Sequence, residues 1–361
     1  MIDNKILNSF LFFVFCIYIY IAGFSYASFV IDDDFMSLIS MYVRVFLIFV
    51  MLLVYNLNGK SDKFTLVLYF IVAILLLSFN PFFQIVAFML IVGLIATKFI
   101  GERKAVVVAN YFSLLSLFTI LILFNLGYSR NYIYYDGSDF AQNVRYSLGF
   151  LNPNAISIFI AQIVFIFFIT RNFFGIIVSL FFYSFILYFA ASRTALVIFI
   201  VFLLFFYLFR NNYILNFAKF GAFLFILLFP LFVFLFVSSG IWSLGGLDLN
   251  QLLSGRLILI QEYYHMIGGI SLFPSYNDFS LDSGFANILL KGGVVFYFVF
   301  TYMCYWYMKN EKDFSYSILF LVFLLLNLSE NFITGNILFS VLVVARAIFL
   351  LKLNGKLGNK R

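Results

Sequence analysis

Residues 214–237 read ILNFAKFGAFLFILLFPLFVFLFV. Only Asn216 and Lys219 interrupt the apolar character of that run, and a helix rising about 1.5 Å per residue carries it across roughly 30 Å of hydrocarbon. Eleven further runs of the same kind lie at about 6–29, 36–57, 64–79, 82–99, 105–126, 152–170, 173–190, 193–209, 283–307, 315–328 and 332–351. The third, seventh and eleventh of the twelve are short. The pattern predicts an all-α polytopic membrane protein, with residues 1–361 forming a single transmembrane domain.

Composition points the same way. Hydrophobic residues make up 65% of the 361, aromatic residues 23% and charged residues only 10%, and the mean hydropathy is +1.10, whereas soluble domains are about 45–50% apolar. A pI of about 9.2 suggests nucleic acid in a soluble chain, but here the basic residues flank apolar runs, where they set topology, so nucleic acid is excluded as a partner. Cys16 and Cys304 lie inside apolar runs and His265 is the sole histidine. Neither a disulfide framework nor a histidine metal cluster is possible. Residues 6–30 are too long for a signal-peptide core and lack a small-x-small cleavage site, which predicts a retained first span.

With the N-terminus inside, fifteen of the 22 Lys and Arg fall in cytoplasmic segments beside five acids, while the outer loops hold ten acids and four arginines: Arg130, Arg145, Arg193 and Arg256. An even number of spans with both termini cytoplasmic satisfies this bias. Arginines kept on an acidic outer face call for a negatively charged ligand. The outer loops 127–151 and 238–282 are too long to be simple turns.

Residues 250–267 carry the pattern of an amphipathic helix. At 100° per residue, Leu252, Leu253, Leu259, Ile260, Tyr263 and Ile267 fall within about 60° of Arg256, and the polar residues gather opposite. A guanidinium on an apolar face meets an anion there, forms a structural ion pair, or snorkels out. His265 falls on the far side beside Glu262, a solvated position unless the helix breaks at Gly255. Arg193 follows Ser192, a good N-cap, so it stands at a helix N-terminus able to take phosphate from a ligand or from lipid headgroups. Asn152-Pro153 is a standard helix start. Asn152 and Asn154, with Arg145 and several tyrosines upstream, also suit sugar hydroxyls and ring faces.

Asp282 opens the tenth run, either as its cap or as a carboxylate able to take a proton from a hydroxyl. Lys291, Arg44 and Glu330 are intramembrane ionisable groups and so functional candidates. The run Asp32-Asp33-Asp34 is either a solvated loop end or a set of carboxylates with Asp32 or Asp34 as base or cation ligand.

Four segments together resemble the bacterial oligosaccharide repeat-unit polymerases, the Wzy-type O-antigen and capsule polymerases related to O-antigen ligase. They are G-F-L-N-P-N-A at 149–155, A-S-R-T-A-L at 191–196, S-G-R-L at 254–257 and D-S-G-F-A-N-I-L-L-K-G-G at 282–293. The resemblance covers residues 140–295, and the N-terminal third matches only in hydropathy. It implies a GT-C-like glycosyltransferase of the bacterial cytoplasmic membrane, acting at its outer face on undecaprenyl-pyrophosphate-linked oligosaccharides. No metal or other cofactor is implied, and flippase and chain-length-regulator proteins are implied as partners. Carried onto this chain, Arg193 and Arg256 neutralise the pyrophosphate leaving group, and Arg145, Asn152, Asn154 and Lys291 are substrate-site candidates. The ligases have a histidine just before the tenth span, where this chain has Asp282, a departure that favours polymerase over ligase. A twelve-span exporter or flippase of lipid-linked sugars is the alternative class, with its ionisable groups around a midplane cavity.

Overall fold

The computed structural model describes residues 4–30, 33–57, 63–78, 81–136, 143–241, 243–244, 247–248, 250, 255–274, 281, 283–329 and 338–358. Among the described residues the chain is helical apart from two short hairpins and two isolated β-bridges. In order it forms α1 (Asn4–Gly23), α2 (Asp33–Leu57), α3 (Lys63–Leu77), α4 (Pro81–Ala96), α5 (Arg103–Asn125), β1 (Ile133–Asp136), β2 (Asn143–Tyr146), α6 (Pro153–Ile169), α7 (Phe173–Ala190), α8 (Arg193–Leu208) and α9 (Asn212–Phe232). There follow β3 (Ser243–Leu244), β4 (Leu247–Asp248), α10 (Arg256–Met266), α11 (Gly284–Ala286), α12 (Gly293–Asn310), α13 (Phe314–Ser329) and α14 (Leu338–Gly358).

Every one of the twelve apolar runs carries a helix. Among the described residues, five helices are long and apolar enough to cross a membrane: Asn4–Tyr26, Leu38–Leu57, Arg103–Asn125, Phe173–Ala190 and Asn212–Val237. The seventh run, expected to be short, is one of these five. Five more apolar helices are shorter, including Pro153–Ile169 and Phe314–Asn327. Exposed Phe, Leu and Ile cover the sides of many helices, which is how a protein solvated by lipid differs from one solvated by water.

The chain divides into two compact units, one made of Met1–Phe70, Phe88–Val201 and Asn336–Arg361, the other of Ile71–Ala87 and Phe202–Gly335. In the first unit α6 is the centre. Thirteen of its residues are buried, Ser157 and Gln162 among them, as expected of a helix that is apolar all round. Helices α5, α7 and α14 pack against it, and α1 packs on α5 and α2. The segment after α1 is stitched by backbone bonds to the 127–151 loop, with Ser28 N–H donating to Gly149 O at 2.9 Å and Leu151 N–H to Tyr26 O at 2.9 Å. Strands β1 and β2 pair antiparallel, Tyr134 opposite Arg145. The hairpins were not expected from a sequence read as all-α; they close backbone donors and acceptors that the long loops would otherwise leave open.

In the second unit the framework is α9 against α12. Pro230 sits inside α9, so it has no N–H to give to the carbonyl of Ile226 four residues back. Tyr297 of α12 supplies the donor instead, its hydroxyl 2.6 Å from Ile226 O. A π-helical turn, Val233–Val237, ends this helix. At the other end Lys219 Nζ, buried, donates to Glu311 O at 2.9 Å.

The tenth run, expected as one continuous span over 283–307, is broken. Its first turn α11 passes into a π-helical turn, Asn287–Lys291, and α12 restarts at Gly293 with φ +80°. The start of α12 is capped by backbone: Val294 N–H donates to Ser271 O at 2.9 Å and Val295 N–H to Leu272 O at 3.2 Å. A Cβ at residue 293 would lie 2.7 Å from the carbonyl carbon of Phe273, so both the φ and the close approach require glycine there.

Replacing Tyr297 by Phe leaves the Ile226 carbonyl without its substitute donor and is expected to cost about 1–2 kcal/mol, read as a lower melting temperature in detergent. Pro230→Ala returns an N–H to that carbonyl. The double variant should therefore lose less than Tyr297→Phe alone loses, and strict additivity would show that the Tyr297 hydroxyl is not compensating for the proline.

Candidate functional site

The first unit gathers the G-F-L-N-P-N-A and A-S-R-T-A-L segments. Asn152 caps α6, its side chain accepting from Ala155 N–H at 2.7 Å with Pro153 at the first helical position. Across from it α7 ends on Ala191 in the left-handed conformation, φ +44°, which turns the chain so that Ser192 can cap α8 with Ala195 N–H at 3.3 Å. Both starts follow from the cap residues.

Asn154 joins the two. Its Oδ1 accepts from Ser192 Oγ at 3.0 Å and from Arg145 Nη2 at 2.6 Å. Arg145, on β2, also donates from Nε to Ala190 O at 3.0 Å, at the C-terminal end of α7. A cation at a helix C-terminus completes both an open carbonyl and the negative end of the helix dipole. The half-buried Arg145 thus fixes where α7 ends and α8 begins, and Arg193 stands exposed on the first residue of α8. Four of the residues singled out in the sequence, Arg145, Asn152, Asn154 and Arg193, belong to this one cluster. Ser192, read from sequence as a cap, is also a member of the polar network, a link between segments 38 residues apart that no local pattern reveals.

The second unit holds Arg256, Lys291 and His265. The helix expected over 250–267 is interrupted: Asn250 is helical, residues 251–254 lie outside the described residues, and the chain turns at Gly255. Gly255 adopts φ +81° and α10 begins at Arg256. Asn250 spans the break, its carbonyl accepting from Gly255 N–H at 2.8 Å and its side chain from Ile258 N–H at 3.3 Å. Only glycine enters the left-handed conformation without cost, and the wheel had no means of registering it. From Arg256 onward the wheel holds in part: Arg256, Ile260 and Tyr263 are buried and Glu262 and His265 exposed, while Leu259 and Ile267 are half-buried and Leu257, outside the expected face, is buried. Arg256 is only 6% exposed, so its guanidinium does not snorkel into solvent, whereas His265 sits on the opposite face with its ring edge-on to Tyr264.

Tyr263, on the same face as Arg256, meets Lys291, whose Nζ lies 5.9 Å from the ring centroid. Such a ring stabilises an ammonium in apolar surroundings. Lys291 ends the π-helical turn, a feature that recurs at functional sites. The turn's entry is held by Asn287, which donates to Leu281 O at 2.6 Å and Ser283 O at 3.0 Å. Ser283, not Asp282, caps α11, accepting from Ala286 N–H at 3.4 Å, so the capping role considered for Asp282 falls to its neighbour. Gly284 abuts Asn327 of α13: an added Cβ would lie 2.2 Å from Asn327 Oδ1.

Arg44 of α2 turns to its own helix, Nε donating to Ser40 O at 3.2 Å. Asp282, Glu330 and Asp32 lie outside the described residues, as does the side chain of Asp34. No group of three or more potential metal ligands occurs among the described residues.

No family model matches the chain, and neither a curated protein nor a solved structure matches it. Chemically, the first cluster presents an exposed guanidinium beside a preorganised amide, hydroxyl and second guanidinium. The second buries one guanidinium and sets a half-buried, aromatic-bound ammonium on a facing element. Both suit a polyanionic oxygen ligand better than a neutral one.

Asn154→Ala removes the acceptor shared by Arg145 and Ser192 and is expected to lower stability by about 1–3 kcal/mol, because a half-buried guanidinium loses a partner. In a cycle with Arg145→Ala the two losses should be non-additive by about 1 kcal/mol or more in the melting curve. Independent losses would mean that Asn154 does not hold Arg145.

Proposed function

We propose that the chain is a membrane glycosyltransferase of the oligosaccharide repeat-unit polymerase type. It lies in the bacterial cytoplasmic membrane with all twelve apolar runs crossing, both termini cytoplasmic, and a GT-C-like arrangement. The observation that carries the reading is the network through Asn154, which ties two of the four resembling segments together and leaves Arg193 exposed at the start of α8.

In this reading a hydroxyl oxygen of an acceptor repeat unit attacks the anomeric carbon of an undecaprenyl-pyrophosphate-linked chain. The new glycosidic bond forms as the bond from that carbon to the pyrophosphate oxygen breaks. The pyrophosphate leaves with the electron pair, and Asp282 takes the hydroxyl proton. Arg193 and Arg256 are assigned the charge that develops on the leaving group, as fixed cations are used at transferring centres. Arg145, Asn152 and Asn154 orient sugar or phosphate oxygens beside Arg193, and Lys291 contributes positive potential. A flippase supplies the substrate from the cytoplasmic side, and a chain-length regulator acts on the product.

One observation favours a second reading. Lys291 sits in a discontinuous helix, the device by which transporters expose backbone and charge at mid-membrane. Purified protein given undecaprenyl-pyrophosphate-linked repeat units separates the two: a polymerase yields a ladder of polymer and free lipid pyrophosphate, whereas a transporter yields neither and moves the substrate across a vesicle. Transfer to a lipid core alone would indicate ligase activity.

Arg193→Ala and Arg256→Ala are each expected to leave the amount of inserted protein unchanged and to slow chain extension by at least about a hundredfold, seen as loss of long polysaccharide on a gel. Normal chain lengths from both variants would overturn the assignment.

A further inference from the structure

A cleft of about 930 Å³ opens between the first two turns of α1 and the turn joining α4 to α5, all within the first unit. Lys5 stands on α1, Lys98 in the turn and Lys104 at the start of α5, and these three lysines line the cleft together with Glu102. The floor is apolar, formed by Phe12 and Phe99 with ring centroids 5.1 Å apart. Because Lys5 and Phe12 lie seven residues apart on one helix, they share a face, and the cleft runs from a cationic mouth to an aromatic base.

The cationic character extends behind the wall. Lys98 is half-buried with Nζ 4.6 Å from the Tyr55 ring centroid, and Lys352 Nζ lies 3.3 Å from the hydroxyl of the same tyrosine. Lys98 and Lys352 thus meet on the same tyrosine, so the charge standing behind Lys98 is of its own sign. A topological bias explains why lysines are numerous in such loops. It does not explain why three of them, from segments about ninety residues apart, converge on one concavity.

We propose that this cleft binds a phosphate-bearing anion through Lys5, Lys98 and Lys104, the headgroup phosphate of an anionic lipid being the source that the aromatic floor favours. Lysine takes phosphate as a compact point charge on a flexible stem, and an anion between the three offsets the mutual repulsion of Lys98 and Lys352. The inference takes only its orientation from the proposed function: with the N-terminus cytoplasmic, the cleft faces the cytoplasmic leaflet. The site itself stands or falls separately from polymerase activity.

The test is a thermal-shift titration of the full chain in neutral detergent with phosphatidylglycerol, phosphatidylcholine or inorganic phosphate. Phosphatidylglycerol should stabilise the protein, and K98A/K104A should require about tenfold to thirtyfold more of it. K98R/K104R should keep the response, as should K309A/K312A, which removes the same charge elsewhere. If K98A/K104A does not fold, the exposed Lys104→Glu alone should weaken the response by about tenfold. A response to inorganic phosphate equal to that for phosphatidylglycerol, lost in the same variants, upholds the site and assigns it to free phosphate. An equal response to phosphatidylcholine, or an equal loss in K309A/K312A, overturns the proposal.

Discussion

A backbone carbonyl or N–H facing hydrocarbon has no water to turn to, so each must find a partner within the protein. The departures from regular helix in this chain are arranged around that constraint. Pro230 strands the Ile226 carbonyl, and the Tyr297 hydroxyl reaches from α12 to take it. The restart of α12 at Gly293 exposes N–H groups, and the backbone of Ser271 and Leu272 supplies the carbonyls. The end of α7 leaves Ala190 O open, and Arg145 arrives from β2. In each case the group that completes the broken helix comes from another element, so the break is also a tether. Irregular backbone within apolar surroundings persists only where such tethers exist, and those are the places where polar chemistry can be presented.

The helices and the two clear caps were legible in the sequence because both are local. Apolar runs long enough to cross hydrocarbon announce helices whatever the packing, and Asn152-Pro153 and Ser192 carry the side-chain chemistry of helix starts. The faces of α10 were legible too, since Arg256, Ile260 and Tyr263 recur at helical spacing. Its start was not. The left-handed conformation of Gly255 and the π-helical turn at Asn287–Lys291 shift the phase of the helix, and a wheel drawn with one fixed angle per residue treats both as continuous. The cap at Ser283 lost out in the sequence reading to the adjacent Asp282, since both residue types suit the position and spacing alone does not rank them. Asn154 as a hub was beyond any local reading. Its partners Arg145 and Ser192 lie 9 and 38 residues away, and only the fold brings them to one oxygen.

That hub separates two kinds of arginine which composition treats alike. Arg145 already donates to Ala190 O and Asn154 Oδ1, and its planar fork holds two elements in register, something a lysine would not do. Those bonds position the elements of the site. Arg193, one residue beyond the Ser192 cap, is exposed and adds its charge to that of the helix N-terminus. The rigidity supplied by the first arginine gives the second a defined position, and electrostatic stabilisation of a transferring group depends on charges fixed before the reaction begins.

The cations within the apolar runs bear on the choice between enzyme and transporter. A transport pathway places ionisable groups around a cavity at mid-membrane, where their charge is available to cargo. Arg44 is turned back onto the Ser40 carbonyl of its own helix, an arrangement that lets a guanidinium stay charged beside lipid without serving a pathway. Lys291 is different, because the ring of Tyr263 and the break before Gly293 give it a built environment. Yet Tyr263 is on the buried face of α10, the helix whose first residue is Arg256, so Lys291 packs against the same helix face that carries Arg256. In the proposed function the leaving pyrophosphate is the anion these cations serve, and charges fixed in place before the reaction are the ones that stabilise a group as it departs.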